Sequence, residues 1–321
     1  MNLRAGLIGV GPWGINIART IREDIQDLTL CRAASSNHQS QLHVGDQCQL
    51  HKDWREMLVC NDLDAVFLAV PAALNREIAS AVLAAGIPVF IEKPVALNSV
   101  DAREILAFAI QYKGIAEVDH LDLFNPAIRI MQREIEKPIT KIFGRIGASY
   151  ERRTDMQPLW EYAPHFLALA VILMETMPVA VRANYLPIEV DAPKSSRKEI
   201  VRMNLDFDNG VDVCIEAGNG MANKVRSIDV YLEDHGIHFA DRASVPLSRF
   251  SLLWQNNRVP IIVPSSVLPL TAAIRSFVQK VRLGKPDIAG VVMGLKVVVI
   301  LEAITKSLLV NDWCVVAPID Y

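Results

Sequence analysis

Gly9-Val10-Gly11-Pro12-Trp13-Gly14 follows a short apolar run, residues 4–8, and opens a helical pattern over 15–23. Few sequence features restrict a fold more tightly. In a strand–turn–helix setting the first glycine of G-x-G-x-x-G permits a tight turn and the second lets a diphosphate approach the backbone. The third lets the helix lie close on the strand, while the helix N-terminus offers N–H donors and positive potential to an anion. The motif predicts dinucleotide binding at Gly9, Gly11, Pro12, Trp13 and Gly14. A glycine turn used only for packing is the competing reading.

The residues that follow keep the alternation such a turn requires. Strands are expected at 28–34, 64–70, 88–91 and 115–118, with helices at 76–85 (ended by Gly86) and 101–112. The run 64–70 is almost wholly apolar, as in a parallel sheet covered by helices on both faces. Residues 1–121 therefore read as an N-terminal Rossmann domain, a doubly wound parallel sheet. Past about residue 125 the pattern changes. A helix at 126–136, a strand at 142–151 and a helix at 164–174 precede strands at 179–186, 200–207, 211–217, 227–233 and 236–241. Asp208-Asn209-Gly210 and Asp234-His235-Gly236 read as hairpin turns between them. Helices at 270–282 and 291–309 complete a C-terminal α/β domain, 122–321, built on a mostly antiparallel open sheet.

Composition narrows the class. The 321 residues are 51% hydrophobic and 21% charged, enough for two packed cores. Thirty-three Lys and Arg against 36 Asp and Glu leave a formal charge of −3, which predicts no nucleic-acid partner. The apolar run 166–174 stops at Glu175, too short for a bilayer, and the first residues show no basic-then-apolar leader pattern. Cys31, Cys48, Cys60, Cys214 and Cys314 form no C-x-x-C and no even framework, which suits a reducing cytoplasm. The expectation is a cytoplasmic protein without a membrane partner.

Between Cys31 and Gly45 there is no Asp or Glu where a carboxylate would bond the ribose of NAD; the chain reads Ala34-Ser35-Ser36-Asn37-His38. A 2′-phosphate is not repelled there, and Ser35, Ser36, Asn37 and His38 can meet it, which favours NADP over NAD. Arg32 sits in the strand and is expected to point elsewhere. Glu92-Lys93-Pro94 follows the strand at 88–91, and proline forces the residue before it to be extended. Lys93 should thus project from the carboxyl edge of the sheet, where ligands of open α/β sheets bind. Beside an oxidised nicotinamide ring, like-charge repulsion and burial disfavour the ammonium, so Lys93 can exchange a hydroxyl proton while hydride moves. The alternative is a surface lysine ending a strand.

Trp160-Glu161-Tyr162-Ala163-Pro164-His165 is the second cluster. Pro164 suits the first helical position, which would put His165 in the first turn, where the helix N-terminus disfavours imidazolium. Glu161, in the loop before that helix, would orient His165 or bind a hydroxyl. A buried histidine bonded to backbone is the plainer reading. Arg152 and Arg153 can hold an anionic substrate group or be solvated charges. His235 and His238 bracket a turn without a third ligand, so no metal is expected.

These segments together resemble the Gfo/Idh/MocA oxidoreductase family over nearly the whole chain. The resemblance rests on the glycine turn, on Pro71-Ala72-Ala73-Leu74-Asn75, and on Ala84 to Pro94 with its Glu92-Lys93-Pro94 end. Val118-Asp119-His120, Phe124-Asn125-Pro126-Ala127 and Leu159 to His165 carry it further. It implies hydride transfer between NAD(P) and a hydroxyl or keto carbon of a small sugar-like molecule, in a homodimer or homotetramer. By matching position, Lys93 and His165 are the implied catalytic residues with Glu161 beside them. Val70, Pro71, Asn75, Glu92 and Lys93 are implied on the cofactor side. Asp119, His120, Asn125, Arg152, Glu161 and His165 are implied to line the substrate. Three positions depart from the family: Glu161 stands for an aspartate, Phe166 for a second acid, and Asp119 for a glycine. A cofactor-sensing regulator without turnover and a C=N or tetrapyrrole-type reductase are the rival functions on the same fold.

Overall fold

The computed structural model describes residues 2–149, 156–189, 198–241, 243–253, 257–264 and 267–319. They divide into two compact units, Met1–Leu121 with Val267–Val298, and Asp122–Ser266 with Val299–Tyr321.

The first unit runs β1 (Leu3–Ile8), α1 (Pro12–Asp24), β2 (Leu28–Ala34), α2 (Gln41–Val44), β3 (Gln49–His51) and α3 (Trp54–Val59). It continues with β4 (Ala65–Leu68), α4 (Asn75–Ala84), β5 (Val89–Ile91), α5 (Ser99–Gln111) and β6 (Ala116–Val118). The six strands pair in parallel in the order β3-β2-β1-β4-β5-β6, which reverses direction between β1 and β4. Every residue of β4 and β5 is buried, as two covered faces demand. β3 lies inside the polar stretch 35–53; with three residues, one of them exposed, it carries too little periodicity to show in the sequence.

The second unit holds α6 (Pro126–Glu134), β7 (Lys141–Gly147), α7 (Pro158–Met174), β8 (Ala180–Leu186), β9 (Ile200–Asp206), β10 (Asp212–Gly218), β11 (Val225–Tyr231) and β12 (His235–Ala240). β13 (Leu247–Ser251) and β14 (Arg258–Pro260) follow, then helices α8 (Pro269–Leu283) and α9 (Ala289–Val310), and β15 (Cys314–Val315). The nine strands of this unit order as β14-β13-β12-β11-β7-β10-β9-β8-β15, antiparallel except for the parallel pair β7 and β10. β13, β14 and β15 were not expected; two of them are edge strands of two or three residues.

Three further expectations change. The helix α8 and residues 289–298 of α9 belong to the first unit rather than to a continuous 122–321 domain. Phe277 of α8 is the reason: it is fully buried against Phe67 and Phe90 of the parallel sheet, with ring centroids 5.5 Å away. The hairpin between β11 and β12 turns at 232–234, where the Leu232 N–H donates to the His235 carbonyl at 2.8 Å. Gly236 is therefore a strand residue, lying under the ring of Phe250, which a Cβ there would approach to 2.1 Å. Finally, α7 starts at Pro158, six residues before the expected start at 164, because Pro158 takes the first helical position that Pro164 was expected to fill. Among the described residues no helix is long and apolar enough to cross a membrane.

Candidate active site

The three glycines after β1 do three different jobs. Gly9 has φ +92°, and a Cβ there would stand 2.5 Å from the Ala69 carbonyl oxygen. A Cβ on Gly14 would stand 2.1 Å from the Gly9 carbonyl oxygen, so its absence lets α1 lie on the turn. Gly11 is different: beyond its own chain neighbours, no atom of the described residues comes within 4 Å of where its Cβ would be. It is the N-cap of α1 and makes no side-chain cap, and the first turn holds no acidic residue. Open space at this glycine and the positive potential of the helix start together fit a diphosphate.

At the end of β2, Arg32 turns to Asp62 in a two-bond pair, 2.8 Å at each, and also reaches Gln49 at 2.5 Å. That pairing holds the Asp62 carboxyl down at about 2. Ser35 is half-buried, and its Oγ accepts from the Asn37 N–H at 3.2 Å and the Ser40 hydroxyl at 2.8 Å. Ser36, Asn37 and His38 are exposed.

The carboxyl ends of β5 and β6 carry the densest charge of this unit. Glu92 extends β5 by donating its N–H to the Leu68 carbonyl at 2.9 Å, and the Asp119 N–H reaches the Ile91 carbonyl at 2.8 Å. Glu92, Lys93 and Asp119 are 9%, 8% and 0% exposed. Lys93 is thus no surface lysine. Asn75, at the start of α4, donates its Nδ2 to the carbonyls of Glu92 at 3.4 Å and Pro94 at 3.1 Å, bracketing Lys93. Its place is explained by that clasp. Asp119, implied as a substrate residue, is packed in the first unit. Trp13 Nε1 donates to its Oδ2 at 3.3 Å, and burial, followed by the neighbouring Glu92 charge, pushes its carboxyl well above the usual range. Of the other implied cofactor positions, Val70 packs its Cγ1 close to Gly9 and Pro71 is exposed. His120 is buried at 2%.

In the second unit α7 carries the other cluster. Its apolar residues bury it on all sides, and the Leu159 N–H in its first turn donates to Glu199 Oε1 at 2.8 Å. With the helix starting at Pro158, Glu161 lies in its first turn and His165 two turns in, so the end-of-helix argument for a neutral imidazole fails. Residues four apart share a helix face, which puts Glu161 and His165 on one side. His165 Nδ1 instead faces a carboxylate: Asp122 Oδ2 is 3.2 Å away, and the same oxygen is 3.2 Å from Arg226 Nη2 of β11. Asp122 and Arg226 were missed. Asp122 stands between the segments Val118–His120 and Phe124–Ala127 without a motif of its own, and Arg226 reads as an ordinary residue before a strand. Only folding brings them together. Phe166, where the family often has an acid, is fully buried and packs on Gly144 of β7, whose Cβ would lie 2.8 Å from its ring. Asn125 caps α6, its Oδ1 accepting the Ala127 N–H at 2.9 Å. Arg152 and Arg153 lie outside the described residues. His235 pairs with Asp234 at 2.7 Å and His238 with Asp229 at 2.6 Å. Among the described residues no three His, Cys, Asp or Glu side chains gather as metal ligands.

The Gfo/Idh/MocA family model, an oxidoreductase family with an NAD-binding Rossmann fold, matches residues 3–120. That match covers the Rossmann part of the chain, a little over a third of its length. A crystal structure of a candidate oxidoreductase from Magnetospirillum magnetotacticum MS-1 superposes with a TM-score of 0.86 at 29% identity, covering 94% of this chain and 99% of that one. Inositol 2-dehydrogenase 1 of Saccharopolyspora erythraea is 25% identical over 141 residues, 42% of each chain, so that match spans well under half of either protein. UDP-N-acetylglucosamine 3-dehydrogenase of Acidithiobacillus ferrooxidans is 21% identical over 235 residues, 73% of this chain and 72% of that protein.

The glycine geometry makes opposite predictions for two alanine variants. Gly14→Ala drives a Cβ into backbone and should cost about 2 kcal/mol or more of stability. Gly11→Ala should leave the melting temperature within about a degree or two, the size of a neutral surface change, yet weaken dinucleotide binding roughly tenfold or more by blocking close approach to the backbone. Thermal melts beside a binding titration check both; equal behaviour of the two variants contradicts the assignment.

Proposed function

We propose that the protein is an NAD(P)-dependent oxidoreductase that moves hydride between the nicotinamide and a hydroxyl or keto carbon of a sugar or sugar derivative. The observation that carries this reading is Lys93, a nearly buried amine at the carboxyl end of β5, on the unit that bears the dinucleotide turn. Keeping an ionisable amine out of water is costly, and a strand end in a purely structural role would not need it. The glycine turn and the N-terminus of α1 hold the diphosphate, and Glu92 and Lys93 flank the nicotinamide end. A bound nicotinamide supplies the hydride acceptor or donor.

In the oxidative direction Lys93 accepts the hydroxyl proton; in the reductive direction it returns it. The Asp122 carboxylate facing His165 Nδ1 favours the proton on that nitrogen and leaves Nε2 as the acceptor. We assign His165 to hydrogen bonding and proton exchange with substrate hydroxyls, and Glu161, one turn earlier on the same helix face, to a second hydroxyl. Inositol and an N-acetylglucosamine nucleotide, named in the relatives, both present rings of vicinal hydroxyls. For the cofactor we propose NADP: no carboxylate follows β2, and Ser36 and Asn37 are exposed there.

With a panel of polyols and nucleotide sugars, nicotinamide absorbance at 340 nm reports turnover. Lys93→Ala should reduce it by about a hundredfold or more while cofactor affinity changes little; unchanged turnover removes Lys93 from the chemistry. For the cofactor, Ser35→Asp places a carboxylate at the end of β2. NADP affinity should fall roughly tenfold or more relative to NAD, since the introduced charge repels a 2′-phosphate. A wild-type protein that already prefers NAD contradicts the NADP assignment.

A further inference from the structure

Two carboxyl groups, Asp119 and Glu92, lie against one another at the carboxyl ends of neighbouring strands, and both are shut off from water. Two carboxylates at such a place cannot both ionise cheaply, so the pair retains a proton. Lys93 is the adjacent basic group, and Trp13 of α1 contributes an uncharged N–H donor. Asn75 of α4 offers only an amide, spent on the carbonyls of Glu92 and Pro94. Glu117 of β6 is engaged elsewhere, 2.5 Å from Lys280 of α8. His120, next in the chain, is buried as well.

The strand order gives the contact its interest. β4 and β5 lie between β1 and β6, and Trp13 of α1, the helix after β1, donates to Asp119, the residue just after β6. Ligands of such sheets bind beyond the carboxyl ends of the strands. A cationic group arriving there meets a carboxyl pair that holds one removable proton.

Resting on the nicotinamide reading above, we propose that Asp119, paired with Glu92 and held by Trp13, distinguishes the two oxidation states of the dinucleotide. The pair keeps its proton beside the neutral reduced ring and releases it to solvent when the cationic oxidised ring binds. Charge balances: one positive ring charge enters and one proton leaves, with no bond made or broken in the ligand. The raised Asp119 carboxyl agrees with this sign, since burial and the neighbouring Glu92 charge raise it and a nearby cation lowers it. Oxidised cofactor thus binds more tightly as pH rises, and reduced cofactor does not. The phosphates are common to both forms, so the difference between them isolates the ring.

Isothermal titration calorimetry of the whole protein with NADP+ and with NADPH, at pH 6, 7 and 8 and in two buffers of different ionisation enthalpy, tests this. NADP+ should release up to one proton more per site than NADPH, its affinity rising up to about tenfold per pH unit relative to NADPH. In Asp119→Asn the amide copies the uncharged carboxyl, and the difference between the two cofactors should vanish. Glu92→Gln gives a second variant with the same expected result should the first not fold. Equal proton release by both cofactors in the wild type overturns the proposal and leaves the cofactor reading standing. Persistence of the difference in a folded variant assigns the proton to another group, such as Lys93, and overturns it too. Binding of neither dinucleotide, NAD forms included, removes the cofactor reading itself and the proposal with it.

Discussion

The burial of Lys93, Glu92 and Asp119 at the ends of β5 and β6 is the constraint to which the rest of the first unit answers. Charged side chains out of water are held only by partners, because each unpaired ion costs several kcal/mol. Here the partners are one another, the Trp13 N–H and the clasp of Asn75 across the Lys93 turn. The packed phenylalanines 67, 90 and 277 fix β4 and β5 from beneath, and the bonds from Glu92 to Leu68 and from Asp119 to Ile91 extend the sheet far enough to carry the charges. A cluster of this kind is poor value as a source of stability. Its position at the ligand-binding edge of the sheet gives it a use in chemistry.

The second unit solves a parallel problem with different residues. Asp122 is nearly buried and is met by Arg226 and His165 at the same distance, so its charge is shared between a permanent cation and an imidazole. His165 Nδ1 thus faces a carboxylate in the segment before α6, and the residue lies two turns from the helix start. Glu161 keeps its helix-face relation to His165 despite the different start of α7. Phe166 serves the core of the nine-stranded sheet, which explains why an acid at that place is dispensable to the fold.

Much of the first unit was legible because its signals are local. A glycine turn after an apolar strand, and apolar runs of four to seven residues bounded by Gly and Pro, report backbone needs within a few neighbours, and the strand order follows. The same locality marked Lys93 and flagged Asp119 as a departure from glycine. What escaped was decided at long range. β3, β14 and β15 have two or three residues each, too few for a period. Pro164 looked like a helix start because nothing in the sequence ranks it against Pro158; burial of residues 158–163 on the sheet decides that. The clustering of α8 with the first unit depends on where Phe277 finds aromatic partners, and the Asp122–His165–Arg226 group on contacts far apart in the chain. Asp119, assigned to the substrate by resemblance, is fully buried with the Trp13 N–H on its carboxyl, a contact that spans 106 residues of chain.

The most direct measurement is a crystal structure of the ternary complex with the dinucleotide and a hydroxyl-bearing substrate. The account predicts Lys93 Nζ within about 3 Å of the substrate oxygen, and the carbon bearing that oxygen about 3.5 Å from nicotinamide C4. A nicotinamide ring bound away from the ends of β4, β5 and β6, with Lys93 touching neither ring nor substrate, would contradict it.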